Sequence, residues 1–166
     1  VRDYRVKGIQ YDFIRYPDED ACYCSRCRAA FEEHIGEPVA NWPADVRPGG
    51  PLEEEYLEVR AGHITRVVRD ITAAIRAIRS EVMISAAVHA RVAQPGVARN
   101  VYGQDWSRWV EEGLIDALCP MSYLSDTAAY EHVVRTVLTD VGGAVPVYAG
   151  IRVRRVSGEV CMRYPQ

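Results

Sequence analysis

The stretch Gly8-Ile9-Gln10-Tyr11-Asp12-Phe13-Ile14-Arg15-Tyr16-Pro17 decides how the chain is read. It opens as a short apolar strand. It ends in a carboxylate and a guanidinium among tyrosines, closed by a proline. An acid at the C-terminal end of a buried parallel strand is where α/β enzymes place their chemistry, because the loops there vary over a rigid frame. The plainer account of Asp12 is that it caps the next turn or pairs with Arg15.

Downstream, residues 18–24 are acidic and turn-like, and Ser25 is expected to cap a short helix. That helix carries Cys27, Ala30, Phe31 and Ile35 on one side and stops at Gly36. Four prolines and Gly49-Gly50 make residues 37–52 irregular. The whole Cys/Pro-rich excursion spans about 18–52, and a connection of about 40 residues between elements is more often functional than filler. A long helix is expected over about Glu53–Arg79, with Leu57, Ala61, Ile64, Val68, Ile71, Ile75 and Ile78 as one apolar stripe. Upstream, residues 1–7 read as the tail of a helix.

A second strand is expected over Val82–His89. Its lack of strict alternation suits a strand covered on both faces. A loop with Pro95, Gly96 and Gly103 leads to Asp105, placed to cap a helix that turns Trp106, Trp109 and Val110 inward and ends at Gly113. A third strand follows over Ile115–Tyr123. The next helix covers about Thr127–Val141, with Tyr130, Val133, Val134, Val137, Leu138 and Val141 inward, and Gly142-Gly143 stop it. A fourth strand is expected over Val145–Ile151, while residues 152–166 give no assignment.

Buried strands joined by helices demand a parallel sheet with right-handed crossovers. The order βαβαβαβ suits either an open doubly wound sheet or part of a (β/α)₈ TIM barrel. Such a barrel typically needs about 250 residues and eight strands, so a barrel reading of these four strands makes the chain about half of one. Residues 1–166 are read as a single domain, a partial barrel in the second case, and both arrangements stay open on this pattern alone.

Composition narrows the function. The chain is 48% hydrophobic and 26% charged, with net charge −3, and lysine is nearly absent. No basic stripe with interleaved aromatics suggests a nucleic-acid partner, and no apolar run has the length of a membrane span. No Gly-rich phosphate loop follows a strand. The strand ends offer Asp12, Arg15, Tyr16, His89, Met121, Tyr123, Asp126 and Tyr148 instead. Carboxylates for proton transfer and aromatic faces for sugar rings are the character of a carbohydrate site.

Three segments resemble the bacterial glycoside-hydrolase-like proteins of the glycosyl-hydrolase-like family ten. They are Gly8–Pro17, the strand Ile84-Ser85-Ala86-Ala87-Val88, and Gln104-Asp105-Trp106 with Trp109, Gly113 and Asp116 running into Cys119-Pro120-Met121-Ser122-Tyr123. The resemblance implies a (β/α)₈ barrel of which this chain supplies strands four to seven, and hydrolysis of O-glycosidic bonds in a polysaccharide or cell-wall glycan. It implies that Asp12 is the catalytic acid of the fourth strand end and that Met121 and Tyr123 line the sugar site. It also implies an extracellular or periplasmic protein that needs no cofactor for catalysis. The family's first three strands and its eighth have no counterpart in the sequence, and the seventh carries no acid, so the chain by itself is expected to be inactive.

Glycoside cleavage generally uses two carboxyl groups. Asp126 is the expected partner of Asp12, with Asp105 a third choice better explained by capping. Tyr11, Arg15, Tyr16, His89, Met121, Tyr123 and Tyr148 are the expected substrate-binding residues. The alternatives are a non-catalytic carbohydrate-binding barrel remnant and an open-sheet α/β domain of unrelated function. Separately, Cys22, Cys24 and Cys27 have the spacing to hold a structural zinc with His34 as fourth ligand; a disulfide or a buried Cys27 would serve equally. Five cysteines in uneven spacing, with Cys119 and Cys161, do not describe a disulfide scaffold.

Overall fold

The computed structural model describes residues 1–90 and 96–151. Pro95 and the tail from residue 152, with Cys161, lie outside them. Elements follow in the order β1 (Gly8–Tyr11), α1 (Ser25–Ile35), a 3₁₀ turn (Ala44–Val46), α2 (Glu53–Ile78), β2 (Met83–Val88), α3 (Val97–Asn100), α4 (Trp106–Glu111), β3 (Ala117–Pro120) and α5 (Thr127–Val141). The three strands form one parallel sheet in the order β1-β2-β3, with Tyr11 beside Ala86 and Ala86 beside Leu118. Each crossover therefore steps one place along the sheet in the same direction.

Alternation splits the sheet into two faces. Ile84, Ala86, Val88 and Leu118 pack with Val68 and Ile75 of α2, Trp106 and Trp109 of α4, and Val137 and Val141 of α5 in one apolar core. The alternate residues Gly8, Gln10 and Met83 are exposed, and Ser85 and Cys119 are half-buried. On that same face Ala87 and Ala117 are buried, so the end of β2 is covered on both faces, as its apolar run suggested, while its start at Met83 is open on one.

Several local expectations are corrected. Residues 1–7 are not helical: the carbonyls of Val1, Tyr4 and Val6 accept hydrogen bonds from the Arg79 guanidinium instead of from helical amides. Val145–Ile151 is no full strand but a single bridge, Val147 beside Leu118. It still runs along β3: Leu118 N–H donates to Pro146 O at 2.9 Å, and Tyr148 N–H returns to Leu118 O at 2.8 Å. Cys24, not Ser25, is the N-cap of α1, while Gly36 ends that helix at φ 78° as expected.

The inward face of α2 is rotated from the predicted stripe. Tyr56, Ala61, Thr65, Val68, Thr72 and Ile75 are buried, whereas Ile71 is 39% and Ile78 46% exposed. The threonines are tolerated there because they are bonded. Thr65 Oγ1 accepts Trp109 Nε1–H at 2.9 Å, and Thr72 Oγ1 lies 2.8 Å from the Tyr11 hydroxyl while donating to Leu114 O at 3.0 Å. On α5, likewise, Leu138 is exposed and Val133, Val137 and Val141 are buried. Asp116 ties β3 to its neighbours: its carboxylate accepts Ile84 N–H at 2.8 Å and pairs with Arg76 at 3.0 Å.

The excursion builds its own small core from Phe31, Val39, Val46, Tyr56 and Val59, joined by Tyr23 and Trp42. The face of α2 gives a direct test. Thr72→Val strands the Tyr11 hydroxyl and should lower the unfolding free energy by about 1–3 kcal/mol, while Ile71→Thr should cost less than about 1 kcal/mol. Urea titrations of both variants check this; the reverse ranking contradicts the placement of α2.

Candidate active site

The C-terminal ends of β1, β2 and β3 open onto one rim. Asp12 follows the last residue of β1 and is exposed. Its Oδ1 accepts the N–H of Phe13 at 2.9 Å. Phe13 has φ 51°, a left-handed turn that a bulky residue rarely adopts. The turn leaves the Phe13 ring 74% exposed beside the carboxylate. The next residues fold back over the rim, where Arg15 lies with its guanidinium carbon 4.5 Å from the Phe13 ring centre and 6.0 Å from that of Tyr102. Arg15 therefore stacks on aromatic faces and forms no ion pair with Asp12 among the described residues. Its Nη1 is buried with no hydrogen-bond partner among them.

From the end of β2 comes His89. Its ring stacks on Tyr102, with centres 3.7 Å apart and planes 7° from parallel. Burial, and then the Arg15 charge, push the His89 pKa below the ordinary value, so the imidazole is neutral near pH 7. Tyr16 closes the group. Its N–H donates to Tyr102 O at 2.9 Å, and its ring lies under the Arg60 guanidinium at 4.7 Å. Gly103, at φ 71°, makes this approach possible; a Cβ there would sit 3.0 Å from the Tyr16 ring.

What holds these loops together is Gln104, buried to 1% exposure. Its Oε1 accepts His89 N–H at 2.8 Å, and its Nε2 donates to Ala87 O at 3.2 Å and Ile14 O at 3.4 Å. One amide thus joins the loop after β1 to the end of β2. Neither Gln104 nor Tyr102 was singled out as a site residue from sequence. The only hint was the place of Gln104 at the head of the Gln-Asp-Trp segment.

The other expected site residues are distributed as follows. Tyr11 does not reach the rim: it is buried against α2, since neighbours along a strand point to opposite faces. Met121 is half-buried just past β3, and Tyr123 and Tyr148 are exposed nearby. Tyr123 lies against Gly150, whose N–H donates to Pro120 O at 2.8 Å. Asp126 is the N-cap of α5, its Oδ1 accepting Ala129 N–H at 2.7 Å. Asp105 occupies the N-cap position of α4 without a capping bond and lies 3.7 Å from Arg99.

In the excursion, the sulfurs of Cys22, Cys24 and Cys27 lie within 4.8 Å of one another, close enough to bind one metal ion. His34 is not in this group: seven residues along α1 from Cys27, it is about 10 Å further up the helix axis. The amide of Cys27 and the neighbouring thiols hold Cys24 down at about 7, while burial and the same neighbours push Cys27 up to about 12.

The chain matches the family described as glycosyl hydrolase-like 10 over residues 1–163, and it belongs to that family. It is also similar to an S-layer-related protein of Niallia circulans, at 25% identity over 98% of this chain. The chain spans 12% of the length of that relative.

The depressed His89 pKa has a sign. The folded state binds a proton less readily than the unfolded chain, so its contribution to stability is complete above about pH 6.5 and is lost as pH falls through the folded pKa. His63, depressed first by burial, acts in the same direction. The urea midpoint should therefore fall between about pH 7 and pH 5.5, and less steeply in His89→Asn. In Arg15→Gln the His89 resonance should titrate at higher pH; an unchanged titration contradicts the contact.

Proposed function

We propose that this glycosyl hydrolase-like 10 chain supplies part of a site that hydrolyses O-glycosidic bonds in a glycan, with Asp12 as a catalytic carboxylate. The observation that carries this is the position of Asp12: an exposed acid at the C-terminal end of a parallel strand, beside the Phe13, Arg15, His89 and Tyr102 cluster. Family membership supports the reaction class. The sequential strand order, with α2, α4 and α5 packed on one face of the sheet, supports a partial (β/α)₈ barrel with the opposite face as its interior.

In this reading the aromatic faces of Tyr102, Tyr123 and Tyr148 stack on sugar rings. The half-buried Arg15 binds a sugar hydroxyl or carboxylate through its guanidinium. Neutral His89 and Tyr16 shape the wall, and Met121 lines it. Asp126 is the second carboxylate: one of its oxygens serves α5, and the other remains for proton transfer or attack. The S-layer-related name of the relative makes cell-surface glycans the first substrates to test.

The capping bond of Asp126 also favours a second reading, a carbohydrate-binding rim without hydrolysis, because it gives that residue a purely structural use. Reducing-end release from a panel of glycans separates the two. In the intact protein, Asp12→Asn should lower cleavage by about 10²–10⁴-fold while glycan binding persists. Asp126→Ser keeps a capping oxygen and should lose cleavage without losing stability. Full activity in Asp12→Asn would end the assignment of that residue, and binding without cleavage by the intact protein would support the second reading.

A further inference from the structure

We propose that Cys22, Cys24 and Cys27 bind one zinc ion as three thiolates and that this site anchors the 18–52 excursion beside the rim. The inference stands apart from the glycan reading and fails or survives independently of it. The first argument is spacing. Cys24 Sγ and Cys27 Sγ are 3.6 Å apart. Zinc–sulfur bonds of about 2.3 Å in a tetrahedron place sulfurs about 3.8 Å apart. A disulfide needs about 2.05 Å, and all three of these cysteines are free.

The second argument is the scaffold. Cys24 is the N-cap of α1 and Cys27 lies in its first turn. The carbonyl of Cys22 accepts the Tyr56 hydroxyl, and the carbonyl of Ala21 accepts from Arg60, so α2 fixes the loop that carries the third sulfur. The loop that carries Cys22 is thus held through its own backbone carbonyls as well as by the contacts among the thiols, which lowers the ordering cost of binding a metal.

The third argument is charge. Zinc with three thiolates carries one net negative charge. Arg60, 3% exposed and bonded one residue before Cys22, supplies a buried cation, and the N-terminus of α1 adds a favourable dipole. Arg60 also donates to Asp18 O at 3.0 Å and Val101 O at 3.2 Å and stacks on Tyr16. One guanidinium thereby links the metal loop, the segment before α4 and the rim. The soft, all-sulfur donor set selects zinc over magnesium or calcium. Three ligands leave the fourth position to solvent or to a donor outside the described residues.

Metal analysis of the protein purified under reducing conditions, loaded with zinc and desalted, tests the site. About one zinc per chain should be retained. Cys24→Ser and Cys27→Ser should lose it, and Cys119→Ser should keep it. Chelation should lower the thermal midpoint of the unmodified chain, and zinc should restore it. Because a cysteine variant can fail to fold, cobalt(II) titration of the unmodified protein provides the second measurement. It should give sulfur-to-cobalt charge-transfer bands and the intense visible bands of a tetrahedral site. Octahedral cobalt spectra, zinc lost on desalting, or a disulfide between two of the three cysteines in the purified protein would overturn the proposal.

Discussion

The rim depends on the buried amide of Gln104. A side-chain amide with no access to water must find partners for both its ends, or each unmade bond costs about 1–3 kcal/mol. Gln104 finds them in the backbone: His89 N–H, Ala87 O and Ile14 O. Those three groups belong to the loop after β1 and to the end of β2, so satisfying one residue brings two strand ends into register. The consequences spread outward. With Ile14 fixed, Arg15 is placed over Phe13. With His89 fixed, its ring stacks on Tyr102, two residues before Gln104 itself. The cluster beside Asp12 is assembled by hydrogen bonds between the Gln104 side chain and the backbone together with stacking among its own side chains.

Helix α2 organises the rest. Its middle turns hold the sheet through Val68, Thr72 and Ile75, while its first turns hold the excursion through Tyr56 and Arg60. Arg60 is the joint between the two parts, since it binds loop carbonyls on both sides of α2 and stacks on Tyr16. The small aromatic core of Phe31, Trp42, Tyr23 and Tyr56 makes the excursion a packed body and not a loose loop. Trp42 sets its Nε1–H on Tyr23 O at 3.0 Å and its ring edge-on to Tyr56.

Much of this was legible where local chemistry decides. Asp126 before Thr127 and Gly142-Gly143 after Val141 bound α5 to the residue, because capping and left-handed termination are short-range effects. Gly36 ends α1 for the same reason, and parallel strands followed from the apolar runs and crossover lengths. What could not be read depends on partners far away in the chain. The buried face of α2 includes Thr65 and Thr72, which hydropathy places outside; only Trp109 and Tyr11, dozens of residues away, justify them. Residues 1–7 look helical until Arg79 takes their carbonyls. At the site, the strand-end position of Asp12 was visible, but strand alternation should have turned Tyr11 away from it. Tyr102 gave no sign, and Gln104 only its place at the head of the Gln-Asp-Trp segment, because their roles arise only where two loops meet.

The central claim is that Asp12 and the His89–Tyr102 stack face a sugar. Backbone amide shifts of the isotopically labelled protein, followed as an oligosaccharide fragment of a cleaved or bound glycan is added, test it most directly. The account predicts that the perturbed amides cluster at Asp12, Phe13, Arg15, His89 and Tyr102. Perturbations centred instead on the groove between α1 and α2, lined by His34, His63 and Arg66, would contradict it.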